Sequence, residues 1–162
     1  MALGEAQQKL KDYDRALLNY TQVIKMKPQS AAAYAKRSEV KLLKGAYASA
    51  LEDVSHAIAL EPQKAEYYNQ RAMSHYQLME YAEAEEDASH AVDMEPKTVL
   101  YYFNRGLIRQ AQKLLDEAIS DFSQVIQQDA QSGDAYFRRG QCYAIMAKSK
   151  SALSDYNKAQ EL

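Results

Sequence analysis

The chain has 162 residues, a formal charge of −2 and a single cysteine. Its 20 basic and 22 acidic side chains are interspersed, without the basic stripe that nucleic acid or an anionic membrane would need. One cysteine excludes an internal disulfide framework, and no apolar run approaches the ~18 residues of a membrane span. No charged-then-apolar leader is present either.

Glycine and proline are sparse, with five and three copies, while Ala, Leu, Lys, Glu and Gln are abundant. That composition is all-helical. Pro28, Pro62 and Pro96 stand 34 residues apart, and this spacing organises the rest. Residues 1–30 carry Gly4, Tyr13, Ala16, Tyr20 and Val23. Residues 31–64 carry Tyr34, Arg37, Ser38, Tyr47, Ala50, Val54 and Ala57, with Gly45 at an expected turn. Residues 65–98 follow with Tyr68, Arg71, Ala72, Tyr81, Ala84, Ala88 and Ala91. In residues 99–132 the series is Tyr102, Arg105, Gly106, Leu115, Ala118, Phe122 and Val125. Residues 133–162 close it with Tyr136, Arg139, Gly140, Ser149, Ala152, Tyr156 and Ala159.

Each repeat reads as two antiparallel helices, predicted in the fourth at Val99–Gln112 and Leu115–Gln128. The proline sits just past the second helix, which it cannot extend. The small column through Gly106 predicts close packing, offsetting a helix-propensity cost of about 1 kcal/mol. A second column, Asp53, Asp87, Asp121 and Asp155, matches the arginine column. Counting back from the turns predicts a structural ladder of Asp53–Arg71, Asp87–Arg105 and Asp121–Arg139. Pairing inside one repeat, such as Asp53–Arg37, is the alternative. Arginine suits a half-buried two-pronged contact that fixes register.

These columns of an aromatic, a small residue four on, then Tyr, Ala, aromatic, Ala and Pro resemble the tetratricopeptide repeat (TPR) family. The resemblance covers the whole chain: four full repeats after one lacking its first residues. Pentatricopeptide arrays, which bind RNA, use a longer period without the proline column. The resemblance implies an all-α, right-handed superhelical solenoid of antiparallel helix pairs, one array over residues 1–162. It also implies a protein-interaction scaffold or adaptor whose first helices line a concave groove for a partner's peptide or helix.

The family's groove positions fall here on Asn69, Gln70, Met73 and Tyr76, on Leu100, Phe103, Asn104 and Leu107, and on Phe137, Arg138 and Gln141. Aromatic and apolar anchors would supply affinity, while Asn69, Asn104 and Arg138 would hold backbone groups or a carboxylate. Packing between neighbouring first helices is the competing role for Phe103 and Phe137. Some family members clamp the C-terminal carboxylate of heat-shock chaperones with a Lys/Asn, Asn, Lys/Arg set. Here those positions read Asn69 and Met73, Asn104, then Asp134 and Arg138. Asp134 would repel the carboxylate, so no such clamp is expected.

No enzyme chemistry is legible. His56 and His90 recur on second helices without a third ligand, so no metal is expected. His75 has no nucleophile at a recognisable spacing, and Cys142 reads as a buried thiol. No phosphate loop or cofactor motif occurs. The start within a first helix and the stop after a second suggest an excised portion of a longer protein, cytoplasmic by default. Uncapped terminal helices raise two alternatives: self-association as a structural element, or a regulatory domain of a larger protein.

Overall fold

A computed structural model describes the backbone of residues 1–162 and every side chain but those of Leu3 and Lys9. Among the described residues there are ten α-helices and no strand: α1 (Ala2–Lys9), α2 (Tyr13–Met26), α3 (Ala31–Leu43), α4 (Tyr47–Leu60), α5 (Ala65–Gln77), α6 (Tyr81–Met94), α7 (Val99–Ala111), α8 (Leu115–Gln128), α9 (Gly133–Ile145) and α10 (Ser149–Glu161). The fourth repeat's helices thus lie where the sequence places them, with Gln112 as the cap of α7. Helix contacts group the chain into two compact units, Met1–Glu80 and Tyr81–Leu162. In the first, α1 to α5 pack each on the next and α3 also touches α5. In the second, α6 to α10 do the same and α7 touches α9.

One left-handed residue closes every tight turn between a first and a second helix. Lys11 (φ 59°), Gly45 (76°), Met79 (63°), Lys113 (65°) and Ala147 (57°) hold this place at the 34-residue spacing. The amide after each returns to the carbonyl five residues back: Asp12 to Gln7, Ala46 to Lys41, Glu80 to His75, Leu114 to Arg109 and Lys148 to Tyr143, at 2.9–3.0 Å. This bond satisfies a helix-end carbonyl that would otherwise be orphaned. Only Gly45 takes the left-handed conformation without strain.

The alanine column is the floor of both units: Ala16, Ala50, Ala84 and Ala118 are fully buried and Ala152 nearly so. The small column exists because the aromatic sixteen residues on lies across it. A Cβ on Gly4 would stand 2.8 Å from the Tyr20 ring, one on Gly106 2.8 Å from Phe122, and one on Gly140 2.9 Å from Tyr156. Where the second helix carries the smaller Val54, the first helix carries Ser38, and its hydroxyl donates to the Ala50 carbonyl at 2.8 Å. So a ring, more than a neighbouring backbone, is what the glycines admit.

The arginine–aspartate ladder runs within repeats, which corrects the across-repeat pairing. Arg37 forks onto Asp53 through Nε and Nη2, both at 2.7 Å. Arg105 forks onto Asp121, at 3.0 and 2.7 Å, and so does not pair with Asp87. Arg139 forks onto Asp155 at 2.8 Å twice, and not onto Asp121. Asp53 is held by Arg37 and Lys41 and not by Arg71, which lies 5.6 Å from the Tyr68 ring centre; Arg71 and Asp87 each have other neighbours. The reason is helical phase. Each Asp and the residue two places on project about 200° apart. The Asp faces its own first helix, and the hydroxyl two places on faces the next. Accordingly Arg37 Nη1 donates to Thr21 Oγ1 at 3.2 Å, and Arg139 Nη1 to Ser123 Oγ at 3.0 Å. Arg37 and Arg139 therefore each tie two repeats after all, with the charge satisfied in one and the spare donor in the other.

Candidate functional site

Stacking residues are accounted for by this frame, so the first-helix positions that differ between repeats remain. In the first unit they come from α1, α3 and α5. Glu5, Gln8, Lys36, Glu39 and Leu43 surround an open depression of about 440 Å³. Lys36 bonds Glu39 at 3.1 Å. Burial alone would lower the Lys36 pKa; the bond to Glu39 and the fields of Glu39, Glu66 and Glu5 raise it instead. Reading the ninth-position column, Glu5, Glu39, Met73, Leu107 and Gln141, would have found this acidic patch.

On α5, Gln70, Met73 and Tyr76 are half-buried. Gln70 Nε2 donates to Glu66 at 3.2 Å, while its Oε1 is buried without a hydrogen-bond partner among the described residues. Asn69 is only 6% exposed and already has a partner.

In the second unit the face is built by α7 and α9. Leu100 and Phe137 stand exposed, at 55% and 44%, with Ile145 at 65%. Gln110 Nε2 donates to Gln141 Oε1 at 3.4 Å, and Arg138 Nη1 reaches the same oxygen at 3.4 Å. These amides join the two helices across the face. Phe103 and Leu107 have another environment: both pack into the core cluster of Ala118, Phe122 and Cys142. Phe103 meets Phe122 edge-on, with ring centres 5.7 Å apart. Asn104 is 8% exposed and has a partner, so neither expected asparagine presents a free amide. Burial pushes the Cys142 thiol up to about 11, which keeps it protonated and unreactive at neutral pH.

His56 stacks on Tyr34 at 5.2 Å. His75 Nδ1 lies 2.7 Å from Glu80. No group of three or more His, Cys, Asp or Glu among the described residues is placed to hold a metal ion, and no helix among them is long and apolar enough to cross a membrane.

Comparison with known proteins bears on the fold. The solved structure of MamA superposes with a TM-score of 0.88 at 22% identity, covering 99% of this chain and 94% of that one. MamA residues 41-end from Desulfovibrio magneticus RS-1 give 0.90 at 14% identity, covering 99% and 91%. YrrB, described as a TPR protein with an unusual peptide-binding site, gives 0.80 at 22% identity, covering 99% and 83%. No curated protein matches the sequence. Two tetratricopeptide repeat family models match, one over residues 1–65 and 69–133 and the other over 133–162. With its columns, turns and helix pairs all at one spacing, the chain belongs to the tetratricopeptide repeat family.

Proposed function

We propose that residues 1–162 form one TPR array and act as a non-catalytic protein-interaction scaffold, with a partner's peptide or helix lying on the first-helix face. The family and the fold support a protein-binding role in general. The observation that carries the finer reading is the α7–α9 face, where Leu100 and Phe137 stand exposed on neighbouring helices that the Gln110–Gln141 bridge joins further along. Exposed apolar anchors rimmed by amides suit a peptide whose backbone needs partners and whose side chains need apolar contact. Gln70, Met73 and Tyr76 belong to the proposal on α5, with Arg138 and Gln141 as polar contacts on α9. Asn104, Phe103 and Leu107 support the α7–α9 face from beneath, and Asn69 does the same for the α5 positions within the first unit. A chaperone-type carboxylate clamp is not part of it, because exposed Asp134 replaces the lysine such a clamp needs.

Selection of peptides from a random displayed library, with counter-screening on Leu100→Ser/Phe137→Ser, tests the reading. Selected peptides are expected to lose the double variant. Peptides that bind both proteins equally would refute the face. The second reading, self-association, is favoured by Leu153 of α10, 61% exposed. Light scattering over a concentration series that shows only monomer would remove it.

A further inference from the structure

The first-helix face of the first unit differs in chemistry from the apolar α7–α9 face. Its open depression of about 440 Å³ lies between two helices, with Glu5 and Gln8 of α1 on one side and Lys36, Glu39 and Leu43 of α3 on the other. Among the described residues that wall it, Lys36 is the one cation, and its ammonium is held by Glu39 at 3.1 Å. Leu43 stands 56% exposed beside them.

Two side chains register the negative field here. Burial alone would lower the Lys36 pKa, and the bond to Glu39 with the fields of Glu39, Glu66 and Glu5 reverses that. Burial first, and then the fields of Glu5 and Glu39, push the Tyr20 phenol up to about 12. Carboxylates of α1, α3 and α5 thus act on one place, and three of them outnumber the one tied ammonium. They also keep acceptor capacity. A carboxylate has about four acceptor sites, whereas Glu39 gives one oxygen to Lys36 and Glu66 one oxygen to the Gln70 amide at 3.2 Å. Gln70 Oε1 is a further acceptor with no donor among the described residues. No three such groups among the described residues are placed to hold a single metal ion. Charge spread over three helices suits a row of basic side chains, whose aliphatic stems can lie on exposed apolar surface while their heads stay polar.

We propose that this face of the first unit binds a basic segment of a partner protein, with lysine or arginine side chains meeting Glu5, Glu39 and Glu66 and an aliphatic stem lying along Leu43. Lys36 then competes with the partner for Glu39 and sets how tightly it is held. The inference rests on the reading of the chain as a protein-binding array and uses no residue of the α7–α9 face.

The test takes a random displayed peptide library, selected on the 162-residue protein and counter-screened on Glu5→Gln/Glu39→Gln/Glu66→Gln. Peptides lost by that variant are expected to be enriched in Lys and Arg over the starting library. In fluorescence anisotropy, synthetic copies should bind the variant about tenfold or more weakly and should weaken with added salt. Lys36→Met should tighten them by about threefold, while Leu100→Ser/Phe137→Ser should leave them unchanged. Glu52→Gln/Glu83→Gln/Glu117→Gln removes equal charge from second helices and should also leave them unchanged. Peptides lost without enrichment in Lys and Arg, or no peptides lost, would overturn the proposal. So would equal weakening by the second-helix variant, which would mean attraction to net charge alone, or weaker binding to Lys36→Met. The same library reports on the α7–α9 face through its own counter-screen, so failure here with success there sinks only this site.

Discussion

Arg139 and Asp155 meet in a two-pronged contact of 2.8 Å, eight residues either side of the left-handed Ala147. The geometry recurs about Gly45 with Arg37 and Asp53, and about Lys113 with Arg105 and Asp121. In each case the ring three residues before the arginine lies beneath it, Tyr136, Tyr34 and Tyr102 at 5.6–5.7 Å. The bond to Asp155, acting against burial, raises the Arg139 pKa, and Arg37 is raised in the same way by Asp53. The pairs differ in reserve. Asp121 is also held by Arg109 at 2.8 Å and Asp53 by Lys41 at 2.8 Å, whereas Tyr143 occupies that column beside Asp155. Arg139→Met is therefore expected to cost about 3 kcal/mol in urea unfolding. Arg105→Met, with Arg109 still in place, should cost about 1 kcal/mol. Equal losses would show that the second cation contributes nothing.

The ring over Gly106 gives a coupled pair. Gly106→Ala improves helix propensity but sets a Cβ 2.8 Å from Phe122, and a loss of about 1–3 kcal/mol is expected. Combined with Phe122→Leu, the two losses should add to less than their sum by at least about 0.5 kcal/mol. Strict additivity in a double-mutant cycle would contradict the contact.

Phe103 and Phe137 share a column and part company in burial. Phe103→Ala should destabilise by about 2–3 kcal/mol, because it empties part of the Phe122 cluster. Phe137→Ala should stay within about 1 kcal/mol of the parent and act on binding. Thermal unfolding of the two single variants distinguishes them, so a binding experiment that removes both rings together would confuse folding with recognition.

Burial holds the Cys142 thiol at about 11 and the Tyr20 phenol at about 12, both above their ordinary values of 9.0 and 10.0. The folded chain thus keeps protons that the unfolded chain releases. Stability from these groups is complete below pH 9, falls as pH rises from 9 to 11 for Cys142 and from 10 to 12 for Tyr20, and is then lost. Cys142→Ser should flatten the first part of that decline in denaturant titrations against pH. Native Cys142 should also label with a thiol reagent at pH 8 far more slowly than the unfolded protein.

The turn column suggests a stabilising change. Lys113 holds φ at 65° without the freedom of glycine. Lys113→Gly should stabilise by up to about 1 kcal/mol, a rise of roughly 2–4 °C in Tm at this size. A fall in Tm would mean that the lysine side chain contributes more than its backbone strain costs.

Much of the fold was legible because spacing is a strong signal: the prolines and the tyrosine, alanine and arginine columns locate all five hairpins. The ladder's members were legible and its partners were not. Asp53 lies as symmetrically between Arg37 and Arg71 in sequence as the two pairings require, and only helical phase, with Ser or Thr two places on, decides. The candidate face was legible by position and not by exposure. Phe103 is covered because α9 brings Cys142 into its cluster, while Phe137 has no such neighbour. Asn69 and Asn104 likewise fall on groove positions yet are nearly inaccessible, a matter of how closely neighbouring helices approach.

The clips that close three of the hairpins on themselves have a mechanical consequence. A chain pulled from both ends would surrender one hairpin at a time, since rupturing Arg139–Asp155 releases α9 and α10 without first opening Arg105–Asp121. Force spectroscopy would then record a staircase whose steps each lengthen the tether by about 11 nm, the extended reach of one 34-residue period. Such a chain yields gradually under load, like a spring with several catches.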